Sequence, residues 1–264
     1  MSLPSELCCP ACRGPLAVEG VGAACRGCDR RYPGDRGYLD FLPDLGAAAG
    51  EGLGPRLMHS RVLARVYERL WRPFFVTVAS SGLPDYRAEF EAVLAALASA
   101  EGGAVVDLSC GPGFTGRKLA ESGRFSRVFG LDWSLAMLAR AAADNRGLMR
   151  LVRGDVGHLP FKTGSLAGVH AGAAFHVWPD PPSAVAEVAR VVRPGGAFVA
   201  STFAHTSGLR RHLEAAVATV GQFHVFEVDQ LRGMLSAHGL VDFDCERRGS
   251  LVLFWARRAG AAAA

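Results

Sequence analysis

Residues 105–120 read VVDLSCGPGFTGRKLA, and the character of the run changes halfway. It is apolar and β-branched up to Leu108, then carries Gly111, Gly113 and Gly116, then continues with helix-forming residues. A strand turning sharply into a helix is the simplest structure with that pattern. Gly111 and Gly113 let the backbone turn tightly and approach a ligand, while Gly116 eases the helix against the sheet. Outward from this run, strands are expected at 104–108, 127–131, 148–152, 166–170 and 197–203, with helices at 115–122, 134–144 and 182–192. A helix at 85–100 leads in and one at 228–238 follows, and strands at 240–247 and 250–257 close the sheet as an antiparallel pair. Such alternation predicts an α/β fold, a parallel sheet with helices on both faces and its ligands at the carboxyl ends of the strands.

The chain has 264 residues, half of them hydrophobic, enough for one sizeable α/β domain and a smaller attachment. No uncharged apolar run reaches 18 residues, and the start MSLPSELCCPACRG lacks the basic beginning and apolar core of a signal peptide. A soluble, cytoplasmic chain without a transmembrane segment is the expectation. The formal charge is +4, but only two of the 29 basic residues are lysines, Lys118 and Lys162, and the arginines are scattered rather than blocked. The charge therefore gives nucleic acid only second place among partner classes.

Four of the seven cysteines form two close pairs, Cys9-Pro-Ala-Cys12 and Cys25-Arg-Gly-Cys28, separated by twelve residues. Two turns with such pairs bring four thiolates onto one tetrahedral ion, and that donor set suits Zn²⁺. Cys8 precedes the first pair, but Cys9 gives the C-P-x-C-x-G pattern ending at Gly14 that a tight metal-binding turn uses. Four cysteine ligands leave no open position, so the expected role is structural: folding a segment too short for its own core. Residues 1–44 hold five arginines and six acidic residues, and a thiolate-bound metal adds negative charge, which makes this module a poor phosphate clamp. The organisation read from the chain is a zinc ribbon at 1–44, a linker and helical cap at 45–83, and a large domain at 84–264. The cap contains an amphipathic helix over 57–75, marked by Leu57, Val62, Val66, Leu70 and Phe74.

Successive strand ends carry acids. Asp107 lies just before the glycine turn, where a carboxylate repels a pyrophosphate but attracts a cationic amino-acid head group. Asp132 ends the next strand, where an acid accepts from ribose hydroxyls, and Asp155 follows the third, where one accepts from an adenine amino group. An amino-acid end, a ribose and an adenine together describe S-adenosylmethionine (SAM).

These motifs resemble the class I SAM-dependent methyltransferases, specifically the methyltransferase-11-like group, over about residues 100–203, with RVVRPGGAFV matching the fifth-strand signature. The resemblance implies a Rossmann-like, seven-stranded sheet. It implies also that Asp107, Gly111 and Gly113 line the methionine end, that Asp132 holds the ribose, and that Asp155 with Val156 meets the adenine. Ser109 stands in this loop where the commonest motif has glycine, and Trp133 is placed to pack on the adenine. RLMHSRVLARVYERLWRPFF, VVDLSCGPG, VHAGAAFHVWPDPPSAVAEVARVVRPGG and the ribbon together resemble chloroplast-associated methyltransferase-like proteins and their bacterial relatives across nearly the whole chain. That similarity implies fold and cofactor without naming an acceptor. The layout of ribbon and methyltransferase is also similar to the large-subunit ribosomal RNA guanine methyltransferases.

A sulfonium methyl group is already activated, so much of the expected catalysis is alignment of a nucleophile, with a base required for a hydroxyl acceptor. The stretch HAGAAFHVWPD after the fourth strand would lie beside the methyl group. In it Gly172 and Ala173 are small enough for close approach, and His176 is the candidate catalytic base. His170 reads as a core residue, His205 and His224 as secondary candidates facing the acceptor, and Cys110 as a packing residue. The expected activity is methyl transfer to a small organic acceptor, apolar or aromatic. The alternatives are a ribosomal RNA base methyltransferase and a protein binding SAM for a regulatory or nonmethylating purpose.

Overall fold

The computed structural model describes residues 2–44, 85–206 and 223–260. The expected helix at 57–75 lies outside these residues. The N-terminal segment forms a small antiparallel sheet of β1 (Leu16–Glu19), β2 (Gly22–Cys25) and β3 (Arg31–Tyr32), then a two-residue strand β4 (Leu39–Asp40). The large domain follows as α1 (Tyr86–Ala96), β5 (Ala104–Leu108), α2 (Phe114–Glu121), β6 (Arg127–Asp132), α3 (Leu135–Asp144), β7 (Arg150–Arg153) and β8 (Leu166–Ala171). It ends with α4 (Pro181–Val191), β9 (Val192–Phe203), α5 (Val228–Ala237), β10 (Leu240–Arg248) and β11 (Leu251–Arg258). No helix among the described residues is long and apolar enough to cross a membrane.

The main sheet has the order β10-β11-β9-β8-β5-β6-β7-β4. β11 runs antiparallel to both neighbours, as expected for the final pair, and the strands from β9 to β4 are mutually parallel. β5 and β8 are buried along their whole lengths, because helices cover both faces of a parallel sheet. One apolar layer, containing Val106, Leu108, Val169, Phe175 and Phe198, faces α4 and α5. The other, containing Val105, Leu119, Leu138 and Val199, faces α1 to α3. The helices begin where capping chemistry allows: Asp85 accepts from the amides of Arg87 and Ala88, Ser134 from Met137, and Asp180 from Ser183 ahead of Pro181 at the first turn.

Seven strands are expected and eight are present. The extra strand, β4, comes from the N-terminal segment and pairs in parallel with β7 at the sheet edge, Leu39 opposite Val152 and Asp40 opposite Arg153. Leu7, Tyr32 and Phe41 join the same apolar layer as Phe129 and Phe161, so the segment shares its core with the large domain. Charged contacts fasten it further. Arg127 donates to both carboxylate oxygens of Glu6 at 2.5 and 2.7 Å. Glu187 accepts from Arg190, from the amide of Leu159 at 2.8 Å and from Arg13 at 3.2 Å. Burial alone would raise the Glu187 carboxyl, but the hydrogen bonds and charge of Arg190, helped by the Leu159 amide and Arg13, hold it below the usual carboxylate range.

The most buried of these links is Arg153, whose side chain is 3% exposed. It donates to Asp40 Oδ2 at 3.2 Å, to the Leu42 carbonyl at 2.9 Å and to the Trp133 carbonyl at 3.1 Å. Removing one partner of a buried ion pair leaves the other charge uncompensated. Asp40→Ala is therefore expected to lower unfolding stability by about 3–5 kcal/mol, read from urea denaturation. A loss below a tenth of that would show that Arg153 does not depend on Asp40.

Candidate active site

The strand ends bring the sequence-selected residues to one edge of the sheet. Asp107 and Ser109 end β5, Asp132 and Trp133 end β6, Asp155 and Val156 follow β7, and Gly172 follows β8. Between Leu108 and α2 the chain reverses through left-handed backbone at Ser109 (φ 52°), Gly111 (φ 54°) and Gly113 (φ 85°), the last residue serving as the cap of α2. Gly113 and Gly116 also sit close to Met149, whose side chain would have to move for a Cβ at either position, 2.7 and 2.4 Å away.

Asp132 organises this edge. Its Oδ2 accepts from the amide of Gly111 at 2.8 Å and its Oδ1 from the amide of Ser134 at 2.8 Å, linking the glycine turn to the start of α3. Burial pushes its carboxyl up to about 6 despite these two donors, and the charge of Asp107 adds to the rise. A carboxylate offers roughly four acceptor positions, so two remain for hydroxyl donors. Asp155 is half-buried; it accepts from Gly157 N at 2.9 Å through one oxygen and faces His158 Nδ1 at 3.2 Å through the other.

Ser109 occupies a φ that favours glycine, and its hydroxyl explains why serine is held there: Oγ accepts from the Trp178 indole at 3.1 Å. Trp178 in turn packs on Phe175, ring centroids 4.8 Å apart. Cys110 is buried, and desolvation with the nearby charges of Asp132 and Asp107 raises its thiol well above the ordinary value, so it is a packing residue and not a thiolate.

His170 is buried, as expected, but it is not an isolated core residue. It sits opposite Asp107 in the β5–β8 register, and its Nδ1 lies 2.7 Å from Asp107 Oδ1. A signal for this pair was available: each residue is the only ionisable one in an otherwise buried strand, AVVDL and LAGVHA. Gly172 is explained by the same ring, since a Cβ at that position would come within 2.8 Å of His170 Cε1. Ala173 (φ 49°) is held by its amide donating to Ser201 Oγ at 2.7 Å.

His176 is buried in a short 3₁₀ turn, Phe175–Val177, with its ring 4.5 Å from that of Phe203 and 5.5 Å from that of Phe223. Burial pulls its imidazole down to about 3, and His224 adds to the shift, so the ring is neutral near pH 7. His205 is half-buried and His224 exposed; their amides donate to the carbonyls of Phe226 and His176, which draws residues 223–226 against the ends of β8 and β9.

In the N-terminal segment the sulfurs of Cys9, Cys12, Cys25 and Cys28 all lie within 4.8 Å of one another. Cys9 and Cys28 are 3.7 Å apart, Cys12 and Cys25 3.4 Å. A tetrahedral Zn–S₄ centre with bonds near 2.3 Å requires separations of about 3.8 Å. The amides of Gly14 and Gly27 point at Cys12 Sγ and Cys25 Sγ, at 3.4 and 3.3 Å. Cys8 stands outside the cluster, its amide donating to the Pro160 carbonyl.

With the geometry in place, comparison with known proteins is consistent. Residues 106–200 match the methyltransferase domain family. An uncharacterized chloroplastic methyltransferase of Arabidopsis thaliana is 34% identical, over 96% of this chain and 78% of the relative. A demethylmenaquinone methyltransferase of Renibacterium salmoninarum is 29% identical, over 64% of this chain and 63% of its own. In three dimensions the chain is similar to Haemonchus contortus phosphoethanolamine N-methyltransferase 2, solved with phosphomonomethylethanolamine and S-adenosylhomocysteine, with a TM-score of 0.61, 14% identity, and coverage of 76% of this chain and 60% of that one. The strand order, the glycine turn between Asp107 and α2, and a relative matched over nearly the whole chain together assign the protein to the class I SAM-dependent methyltransferases.

Proposed function

We propose that this methyltransferase acts on a small apolar or aromatic organic acceptor, and that its N-terminal cysteines hold a structural Zn²⁺. The observation that supports the acceptor class is the aromatic cluster at the ends of β8 and β9, where the half-buried rings of Phe203 and Phe223 pack on the buried His176, with Phe175, Trp178 and Phe226 buried behind them. Such a wall suits a flat or hydrocarbon ligand and offers little to a phosphate backbone. The demethylmenaquinone methyltransferase among the relatives supports a quinone-like acceptor. A cytoplasmic location stays part of this reading, although the Arabidopsis relative is described as chloroplastic.

SAM, when bound, supplies an activated methyl group. In the proposed site Asp132 accepts from the ribose hydroxyls, Asp107 with the Gly111–Gly113 turn receives the methionine end, and Trp133, Asp155 and Val156 border the adenine. Ser109 shapes the turn through Trp178. His176, the candidate base from sequence, takes the role of a neutral pocket wall, because a group that protonates only near 3 accepts protons weakly at neutral pH. The chain's contribution is then chiefly to orient the two reactants and exclude water.

Transfer of a radiolabelled methyl group from SAM into an extract of the source cells tests the acceptor class. Label in the organic-soluble fraction is expected; label confined to RNA would replace this reading with a ribosomal RNA methyltransferase. Asp132→Ala should weaken SAM binding by roughly 100-fold or more, from the loss of two hydrogen bonds to a charged group, as measured by calorimetry; unchanged binding would remove the ribose role. The pH dependence has two opposite parts. Because folding raises Asp132 to about 6, the stability it contributes to the free protein is present below the usual carboxylate range and lost as pH rises through about 6. SAM affinity runs the other way, falling as pH drops below about 6 and the acceptor carboxylate is protonated, and Asp132→Asn should flatten that part of the profile. For the metal, freshly purified protein should carry one equivalent of zinc by elemental analysis. Cys25→Ser should lose most of it, whereas Cys8→Ser should not.

A further inference from the structure

We infer that His170 is a positioning residue for the cofactor's amino-acid end, acting through Asp107; the inference rests on the proposed reading of Asp107. Both side chains are nearly inaccessible, at 4% and 3% exposure, so bulk water contributes little to orienting them. A carboxylate in such a place must be oriented and compensated by donors. His170 Nδ1 at 2.7 Å from Asp107 Oδ1 is that donor, and acceptance by a carboxylate assigns the proton to Nδ1. The other oxygen, Oδ2, faces the Cα of Gly116, where an added Cβ would approach it to 3.1 Å.

The surroundings show that the ring is placed and not merely accommodated. On its far side the backbone of Gly172 lies so close that a Cβ would meet Cε1 at 2.8 Å and Nε2 at 3.2 Å. The next residue, Ala173, is fixed by Ser201 Oγ in a left-handed conformation. His170 is thus held between Asp107 and the turn that follows β8. One ring fixes the rotation of the carboxylate and the path of the backbone beyond it.

This arrangement predicts a ligand-selective effect. S-adenosylhomocysteine carries the amino-acid end, whereas 5′-methylthioadenosine shares the adenosine but lacks that end. Calorimetric binding of both should be measured for the full chain and for Asp107→Asn, His170→Leu and His170→Asn. In His170→Leu the affinity for S-adenosylhomocysteine is expected to fall roughly 10- to 100-fold, the worth of a hydrogen bond to a charged group. Affinity for 5′-methylthioadenosine should stay within about twofold. His170→Asn, whose side-chain amide nitrogen can stand in for Nδ1, should recover most of the loss. Equal weakening for the two ligands, or no weakening in His170→Leu, would overturn the inference, the first outcome meaning that His170 only supports the fold. If Asp107→Asn leaves the ratio of the two affinities unchanged, the reading of Asp107 itself fails. If Asp107→Asn changes the ratio and His170→Leu does not, only the role of His170 fails.

Discussion

One buried carboxylate, Asp132, carries the geometry of the strand-end edge. Its two oxygens take the amides of Gly111 and Ser134, so the turn after β5 and the helix start after β6 are tied through a single side chain. The position is unfavourable for charge: burial and the proximity of Asp107 push its carboxyl up to about 6. Two acids near one another in a low-dielectric pocket make sense where a ligand brings matching donors and positive charge. The free protein thus retains an electrostatic tension that a ribose and an ammonium group would relieve. The glycines alone do not create this site, because their loop geometry is fixed from outside by the Asp132 carboxylate.

The N-terminal segment contributes to the same edge from another direction. β4 extends the sheet beyond β7, and Arg153 connects Asp40 and Leu42 with the carbonyl of Trp133, one residue beyond Asp132. Folding of the ribbon and alignment of the loop after β6 are therefore mechanically continuous. A metal centre that closes the ribbon would stabilise the segment that Arg153 ties to the loop after β6, although none of its ligands lies at a strand end of the large domain. The link is structural: four cysteines leave no position for a substrate.

Much of this architecture is readable from residue patterns. The helices and strands between Ala104 and Phe203 follow from alternating apolar runs, and the cysteine pairs have spacing that permits one cluster. The eighth strand was hidden because β4 is only two residues long and takes its meaning from a partner more than a hundred residues away. The link between Asp107 and His170 was only half visible: each local run shows a lone ionisable residue among apolar ones, but their cross-strand register depends on which strands become neighbours. His176 has the residue type and position of a base, while the fold buries it among aromatic rings, which pulls its imidazole down to about 3. Ser109 departs from the commoner glycine, and its role in accepting from the Trp178 indole depends on a tertiary contact that the local run does not contain.

These corrections bear on how catalysis is divided in the molecule. Buried carboxylates lie at Asp107 and Asp132, whereas His176 is packed among aromatic rings. Methyl transfer moves the positive charge off the sulfonium sulfur and onto the acceptor, which sheds it with a proton or enters as an anion, so charge is dispersed in the transition state. The separation is maintained by backbone constraints: Gly172 makes room for His170 to face Asp107, and Ala173 then turns the chain away toward the aromatic wall. Two residues after β8 thus divide an electrostatic compartment from an apolar one. In the proposed reading, that division, more than any single acid or base, is what the fold supplies to methyl transfer.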